Sequence, residues 1–177
     1  MKVLCSKTNK LLMTLSQDEL LVRAFCLGVK DVILLDEDYS KKGLIDKLKE
    51  EKYYTTSFID NYNLKRVLFF RNKKDKEYFL NNLYDYFLKP RGLHEVQQEL
   101  GSLLGFPPAA VKRFAKRFKK KHHDSNYSKN NNIPVNYNGM YFSSYKETFK
   151  EDLNWLLARY SLKNDDFIIV DSTFYRK

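Results

Sequence analysis

Residues 97–123 read QQELGSLLGFPPAAVKRFAKRFKKKHH, two short helical patterns joined by a Gly-Phe-Pro-Pro turn. The second pattern places apolar residues at three- and four-residue spacings, which put side chains on one face of a helix. These residues are Val111, Phe114, Ala115 and Phe118. The segment therefore predicts a helical hairpin whose second helix packs against the protein by an apolar stripe.

The other side of this second helix carries the densest positive charge in the chain. Its basic residues are Lys112, Arg113, Lys116, Arg117, Lys119, Lys120 and Lys121, with no acidic residue among them. The whole chain of 177 residues has a formal net charge of +10. The seven basic residues of this helix carry +7, which leaves +3 for the rest, so the basic character is concentrated here. A concentrated basic face is typical of proteins that bind nucleic-acid phosphates, and we expect it to contact an RNA or DNA backbone.

The hairpin also fits the helix-turn-helix pattern. Gly101 stands where the two helices would touch, and Gly105 stands where the turn needs a left-handed residue. Val111 and Phe114 are expected to face inward. In that arrangement the side chains entering a DNA major groove would be Ala109, Lys112, Arg113 and Lys116. The consecutive prolines at 107 and 108 depart from the pattern because they stiffen the turn.

The composition indicates one folded domain. The chain is 43% hydrophobic and 15% aromatic, which argues against general disorder. No apolar run reaches the roughly 18 residues that a membrane crossing needs, and no secretory signal pattern is present. We therefore expect a cytoplasmic protein without membrane association.

Residues 1–89 alternate between strand and helix patterns. Asp31–Leu35 and Arg66–Phe70 are continuous apolar runs of strand length, and helical patterns follow at 40–52 and 74–88. This alternation is typical of βαβ units. It predicts an α/β fold with a small, mostly parallel sheet, packed helices and the hairpin as a central helical excursion.

The remaining sub-regions follow from composition. Residues 91–123 form the basic hairpin, and 124–139 are rich in Asn and Ser, which predicts a loop. Residues 140–177 contain a helix pattern and an apolar strand at 166–170, which we expect to complete the sheet of residues 1–89. Two tyrosines of the Asn-rich loop, Tyr127 and Tyr137, are expected to stack on unpaired bases.

Strand-end carboxylates suggest a second function. Asp36 and Asp38 follow the first apolar strand, and Asp171 follows the last one. If those strands are parallel neighbours, the three carboxylates could hold Mg²⁺ and support a nuclease or phosphotransferase reaction. The alternative is structural, because acidic residues at strand ends commonly turn the chain and cap the next helix.

The segment Leu103-Leu104-Gly105-Phe106-Pro107-Pro108-Ala109-Ala110-Val111 resembles the Leu-Gly-Tyr-Pro-x-Cys-Cys-Val signature of an uncharacterised, mainly archaeal family, catalogued as domain of unknown function number 483. The resemblance covers about the middle third of the chain, from Arg66 onward. Ala109 and Ala110 stand where that family has paired cysteines, so a thiol or metal role of those cysteines does not carry over. The resemblance implies a similar local fold and no particular activity.

The sequence therefore favours a non-enzymatic protein that binds nucleic acid through the basic helix, with no cofactor. Two alternatives stay open at this point. One is the metal-dependent enzyme with Mg²⁺, and the other is a subunit of a protein assembly whose basic helix binds an acidic partner.

Overall fold

The computed structural model describes residues 2–3, 15–40, 43–89, 92–119, 132–137, 139–160 and 168–170. The strands are β1 (Lys2–Val3), β2 (Val32–Asp36), β3 (Tyr54–Ile59), β4 (Lys65–Phe70), β5 (Asn132–Tyr137), β6 (Met140–Tyr145) and β7 (Ile168–Val170). The helices are α1 (Gln17–Cys26), α2 (Leu44–Glu50), α3 (Lys73–Asn82), α4 (Tyr84–Leu88), α5 (Gln97–Leu103), α6 (Pro108–Lys119) and α7 (Phe149–Arg159). A 3-10 turn at Gly92–Glu95 precedes α5.

The strands form two antiparallel sheets, so the predicted single, mostly parallel sheet is wrong. Sheet I has the order β2-β4-β3, and sheet II has the order β1-β7-β5-β6. In sheet I, β4 pairs antiparallel with both neighbours, with Ile33 and Thr55 both opposite Phe69. The segment 54–59, which lies between the predicted helix at 40–52 and the predicted strand at 66–70, forms β3 and is followed by a turn into β4. The βαβ crossover therefore joins β2 to β3, and the returning β4 lies between them in the opposite direction.

Helices cover both faces of sheet I, which explains why β4 is apolar at consecutive positions. One apolar cluster lies between the sheet and the α3, α4 and α5 side; its buried members are Val32, Phe58, Leu68, Phe70, Phe79, Leu83, Phe87, Val96 and Leu100. The other lies on the α1 and α2 side; its buried members are Val22, Phe25, Ile33, Leu35, Ile45, Leu48, Val67 and Phe69. The central strand is therefore buried on both faces.

Sheet II contains the strand predicted at 166–170, which does not join sheet I. In its described part, β7 pairs with β5 and β1, so the expectation of one shared sheet is wrong. The predicted loop of 124–139 is also wrong over 132–137, which form β5. Within this strand Ile133, Val135 and Tyr137 are buried and alternate with half-buried residues. The Asn-rich composition hides this period-two pattern.

The turn between α5 and α6 connects elements of both sheets. Gly105 adopts a left-handed φ of 74°, and the N–H groups of Gly105 and Phe106 donate to the carbonyls of Ser102 and Gly101. This is the Schellman arrangement, in which a glycine ends the helix. Lys30 lies two residues before β2, and its Nζ donates a hydrogen bond to the Leu104 carbonyl at 2.5 Å. The turn is thereby attached to sheet I.

The same turn is attached to the end of α7. The hydroxyl of Tyr160 donates to the Gly105 carbonyl at 3.0 Å, and the hydroxyl of Tyr137 in β5 donates to the Tyr160 carbonyl at 3.2 Å. The two tyrosine rings stack with centroids 5.6 Å apart. A side chain at Gly105 would collide with the Tyr160 hydroxyl. The position therefore requires glycine for its backbone angle and for space.

Lys30 is a buried amine, with 3% of its surface exposed, and its Nζ lies 4.9 Å from the centre of the Phe106 ring. Burial lowers the pKa of Lys30 from 10.5 to about 7, although the neighbouring Asp31 carboxylate raises it. Burial disfavours the charged form because the ammonium loses its water. The folded protein therefore binds fewer protons at this group than the unfolded chain does between pH 7 and 10.5.

This difference predicts how stability depends on pH. Because the folded pKa lies below the unfolded one, the cost of burying the charge is fully present below pH 7 and is relieved as the pH rises. The free energy of unfolding should rise between about pH 7 and 9, with at most ~1.4 kcal/mol per pH unit from this group. Urea unfolding at several pH values measures the slope.

Replacing Lys30 by Met removes the titrating group and should flatten that slope. The exposed Lys47, replaced in the same way, serves as the control and should keep the original slope. A Lys30→Met variant whose unfolding free energy follows pH as the wild type does would contradict the assignment.

Candidate nucleic-acid interface

The helix α6 begins at Pro108, a position where the missing N–H of proline is not needed. Its inner side is formed by Ala110, Val111 and Ala115, each at most 8% exposed. Gly101 of α5 lies against Val111, and a Cβ at Gly101 would come within 2.8 Å of the valine side chain. The helix contact predicted for Gly101 is therefore present, and it requires a residue without a side chain.

A buried carboxylate fixes the first turn of α6 to the neighbouring elements. Asp152 of α7 is 1% exposed and accepts the Ala110 N–H at 3.2 Å. Its second carboxylate oxygen accepts the Ser144 hydroxyl of β6 at 2.5 Å and the Thr148 hydroxyl at 3.5 Å. Burial raises the pKa of Asp152, while these hydrogen bonds act in the opposite direction. An acceptor at a helix N-terminus also interacts favourably with the helix dipole.

The structure describes the side chains of three of the seven predicted basic residues. Lys112 and Lys116 are exposed. Arg113 is half-buried: its Nη1 lies 3.2 Å from the Glu147 carboxylate, and its guanidinium lies 4.9 Å from the centre of the Tyr145 ring. The side chains of Arg117, Lys119, Lys120 and Lys121 lie outside the described ones. Arg113 is thus held against β6, and the two lysines extend toward solvent.

The structure corrects two predictions near this helix. Phe114 is 44% exposed, so it is not the core residue that the apolar stripe predicted. Tyr137 is completely buried in sheet II and cannot stack on a base, whereas Tyr127 lies outside the described residues. Ala109, predicted to enter a DNA groove, is half-buried.

An aromatic residue that the sequence analysis missed lies on β6. Cross-strand pairing places Tyr141, Ser143 and Tyr145 opposite Asn136, Pro134 and Asn132, so these six residues share one side of sheet II. We call this side the outer face. Tyr141 is 51% exposed and Tyr145 is 2% exposed, beneath Arg113. Residues 140–145, MYFSSY, have no regular alternation of apolar and polar residues, so no sequence pattern identifies Tyr141 as exposed.

Asp36, one of the carboxylates predicted to hold Mg²⁺, forms an ion pair with an arginine instead. Asp36 lies 3.0 Å from Arg66 Nη1, and Asp60 lies 3.0 Å from Arg66 Nε. Asp60 also accepts the N–H groups of Tyr62 and Leu64. Arg66 thus bridges two carboxylates at one end of sheet I. A cation at Asp36 would have to compete with a guanidinium that is already bound there.

The other two carboxylates do not complete a metal site in the described part. Asp38 is exposed, with Lys65 Nζ 3.9 Å away, and Asp171 lies outside the described residues. Among the residues that the structure describes, no group of three or more His, Cys, Asp or Glu side chains could hold a metal ion. The predicted convergence of Asp36, Asp38 and Asp171 required their strands to be parallel neighbours; that premise is wrong, because β2 lies in sheet I and β7 lies in sheet II.

Comparisons with protein-family models, curated proteins and solved structures found no match to this chain. The resemblance of the segment 103–111 to the archaeal family therefore stays a prediction. None of the described helices has the length and apolarity needed to cross a membrane.

The Arg66 cluster generates a stability prediction. Burial tends to raise the pKa of Asp60, but the Leu64 and Tyr62 N–H groups and Arg66 lower it below its ordinary value of 3.8. Replacing Asp60 by Asn should reduce the free energy of unfolding by about 2–3 kcal/mol, because it removes one partner of a largely buried ion pair. Chemical unfolding at pH 7 measures the loss.

The pH dependence provides a second check. A carboxylate whose pKa is lower in the folded protein than in the unfolded chain stabilises the fold at pH values above its unfolded pKa. This stabilisation is lost as the pH falls through the folded pKa. The difference between wild type and Asp60→Asn should therefore narrow below about pH 4. The exposed Asp38, replaced by Asn, should change the unfolding free energy by less than about 0.5 kcal/mol. Equal effects of the two substitutions would show that the bridge does not contribute as described.

Proposed function

We propose that this protein binds nucleic acid through the phosphate backbone, with the basic side of α6 as the contact surface and without catalysing a reaction. The observation that supports this proposal is the position of Lys112 and Lys116, which extend into solvent from a helix whose opposite side is buried. Further along the same segment are Arg117, Lys119, Lys120 and Lys121. We keep the predicted cytoplasmic location as part of the proposal.

A rigid helix is suited to this role. Phosphate contacts fix the position of a protein on a nucleic acid, and they are most effective when the charged groups need little ordering on binding. The Asp152 hydrogen bonds and the packing of Val111 against Gly101 hold the helix in place. The exposed lysines are point charges at fixed positions along the helix, which suits contacts to a row of phosphates rather than to one particular base.

Arg113 has a different part in the proposal. Its ion pair with Glu147 and its position over Tyr145 leave it less available for phosphate than its neighbours. We expect it to hold α6 against sheet II. The helix-turn-helix model assigned Arg113 to a DNA groove, and the contacts of this side chain favour the positioning role.

The proposal predicts a salt-dependent affinity. Each phosphate contact contributes a slope of about −0.7 on single strands and −0.9 on duplexes in a plot of log affinity against log salt concentration. Replacing both Lys112 and Lys116 by Ala should flatten the slope by about 1.4 on a single strand and about 1.8 on a duplex. Fluorescence anisotropy at several salt concentrations measures it.

The exposed Lys47 and Lys52 form a matched control, since replacing them by Ala removes the same charge elsewhere. That control variant should keep the wild-type slope. If both double variants change the slope equally, the attraction is a property of net charge and not of α6. If neither RNA nor DNA binds, the basic helix serves another polyanion, such as an acidic protein partner.

A further inference from the structure

We infer that the outer face of sheet II binds an unpaired RNA strand whose phosphates contact α6. This inference rests on the proposed function and specifies its ligand. It depends on three observations: the composition of the outer face, the exposure of Tyr141, and the contact between Arg113 and Tyr145.

The two sides of sheet II differ sharply in composition. The inner side contributes Ile133, Val135, Tyr137, Met140 and Ser144 to the interior, all at most 4% exposed. On the outer face, Asn132, Pro134, Asn136 and Ser143 are half-buried, and Tyr141 is exposed. An antiparallel sheet commonly buries one face and leaves the other partly solvated. The solvated face here offers polar groups and one accessible aromatic ring.

Tyr141 is suited to stacking on a base. A tyrosine ring that is 51% exposed on a strand is held in orientation by the sheet, so it loses little freedom when a base packs on it. Stacking on aromatic side chains is how proteins recognise unpaired bases, because bases in a duplex are already stacked on one another. The ring therefore favours a single strand over a duplex.

The contact between Arg113 and Tyr145 places the basic helix next to this face. Arg113 lies over Tyr145, and Tyr141 is on the same side of β6 four residues away. Four residues of a strand span about 13 Å. A strand of a few nucleotides can therefore reach from a base on Tyr141 to phosphates at Lys112 and Lys116. The positive charge of α6 would attract the phosphate backbone of the RNA, and the ring of Tyr141 would stack on a base.

The polar groups along the outer face favour RNA: Ser143 lies between Tyr141 and Tyr145 on β6, and Asn132 lies opposite Tyr145. Ser143 supplies a hydroxyl, and Asn132 supplies a carboxamide; both are half-buried on the outer face. These groups can donate and accept hydrogen bonds, as can the ribose 2′-hydroxyl, which distinguishes RNA from DNA. The Asn136 amide oxygen is already engaged by the Gly139 N–H at 2.8 Å. Ser143 and Asn132 are therefore the groups we assign to the ribose.

The test measures binding of a labelled uridine oligonucleotide of about 12 residues, within the usual site size for single strands. Tyr141→Ala should weaken binding about ten-fold, whereas Tyr141→Phe, which keeps the ring, should bind nearly as the wild type. The salt slope should be unchanged, because no phosphate contact is removed. A fully paired, blunt-ended RNA duplex should bind both variants equally.

Tyr62→Ala is the matched control, because Tyr62 is 65% exposed in the β3–β4 turn of sheet I; it should leave uridine binding unchanged. The deoxyuridine oligonucleotide of the same length should bind several-fold more weakly, and equal binding would overturn the assignment to RNA. If Tyr141→Ala binds uridine normally while the Lys112 and Lys116 substitutions still flatten the salt slope, the outer-face site is wrong and the proposed function stands. If no oligonucleotide shows salt-dependent binding, both are wrong.

Discussion

Two backbone carbonyl groups in the α5–α6 turn, those of Leu104 and Gly105, accept hydrogen bonds from two separate parts of the described structure. The first accepts a hydrogen bond from buried Lys30 at the edge of sheet I, and the second accepts one from Tyr160 at the end of α7. Each bond contributes on the order of 1 kcal/mol, and losing a donor leaves a buried carbonyl without its partner. The left-handed Gly105 presents both carbonyls at once. The turn therefore attaches the basic helix to elements of both sheets.

The same attachments determine what α6 can do. Val111 packs on Gly101, Asp152 accepts the Ala110 N–H, and the guanidinium of Arg113 lies over Tyr145, so the helix is held by two side chains and by its N-terminal turn. Lys112 and Lys116, four residues apart, share an exposed side of the helix. Because the helix is already ordered, binding a polyanion requires only the ordering of lysine side chains, which costs less than folding a basic segment on its ligand. The small loss of conformational entropy on binding is the physical basis for assigning the contact surface to α6.

The features that depend on local pattern were predictable. The helical hairpin, its left-handed glycine and the apolar strands at 32–35 and 67–70 follow from spacing and residue type. The direction of the strands was not predictable, because it depends on whether residues 54–59 form a strand. That segment, YTTSFI, has no continuous apolar run that would identify it as one. The role of Asp36 depends on Arg66, thirty residues away in the chain, which no local pattern reveals. Tyr137 and Tyr141 look alike in the sequence; strand pairing alone puts the first inside and the second outside.

The central claim is that this protein binds nucleic acid through salt-sensitive contacts to phosphate. The most direct measurement is the ratio of absorbance at 260 nm to that at 280 nm for protein purified at low salt, before and after a high-salt wash, because released counterions make such contacts weaken as salt rises. The account predicts a raised ratio that falls to the value for protein alone after the wash, with nuclease-sensitive material in the eluate. A ratio equal to that of protein alone before the wash, together with no binding of added RNA or DNA at low salt, would contradict it.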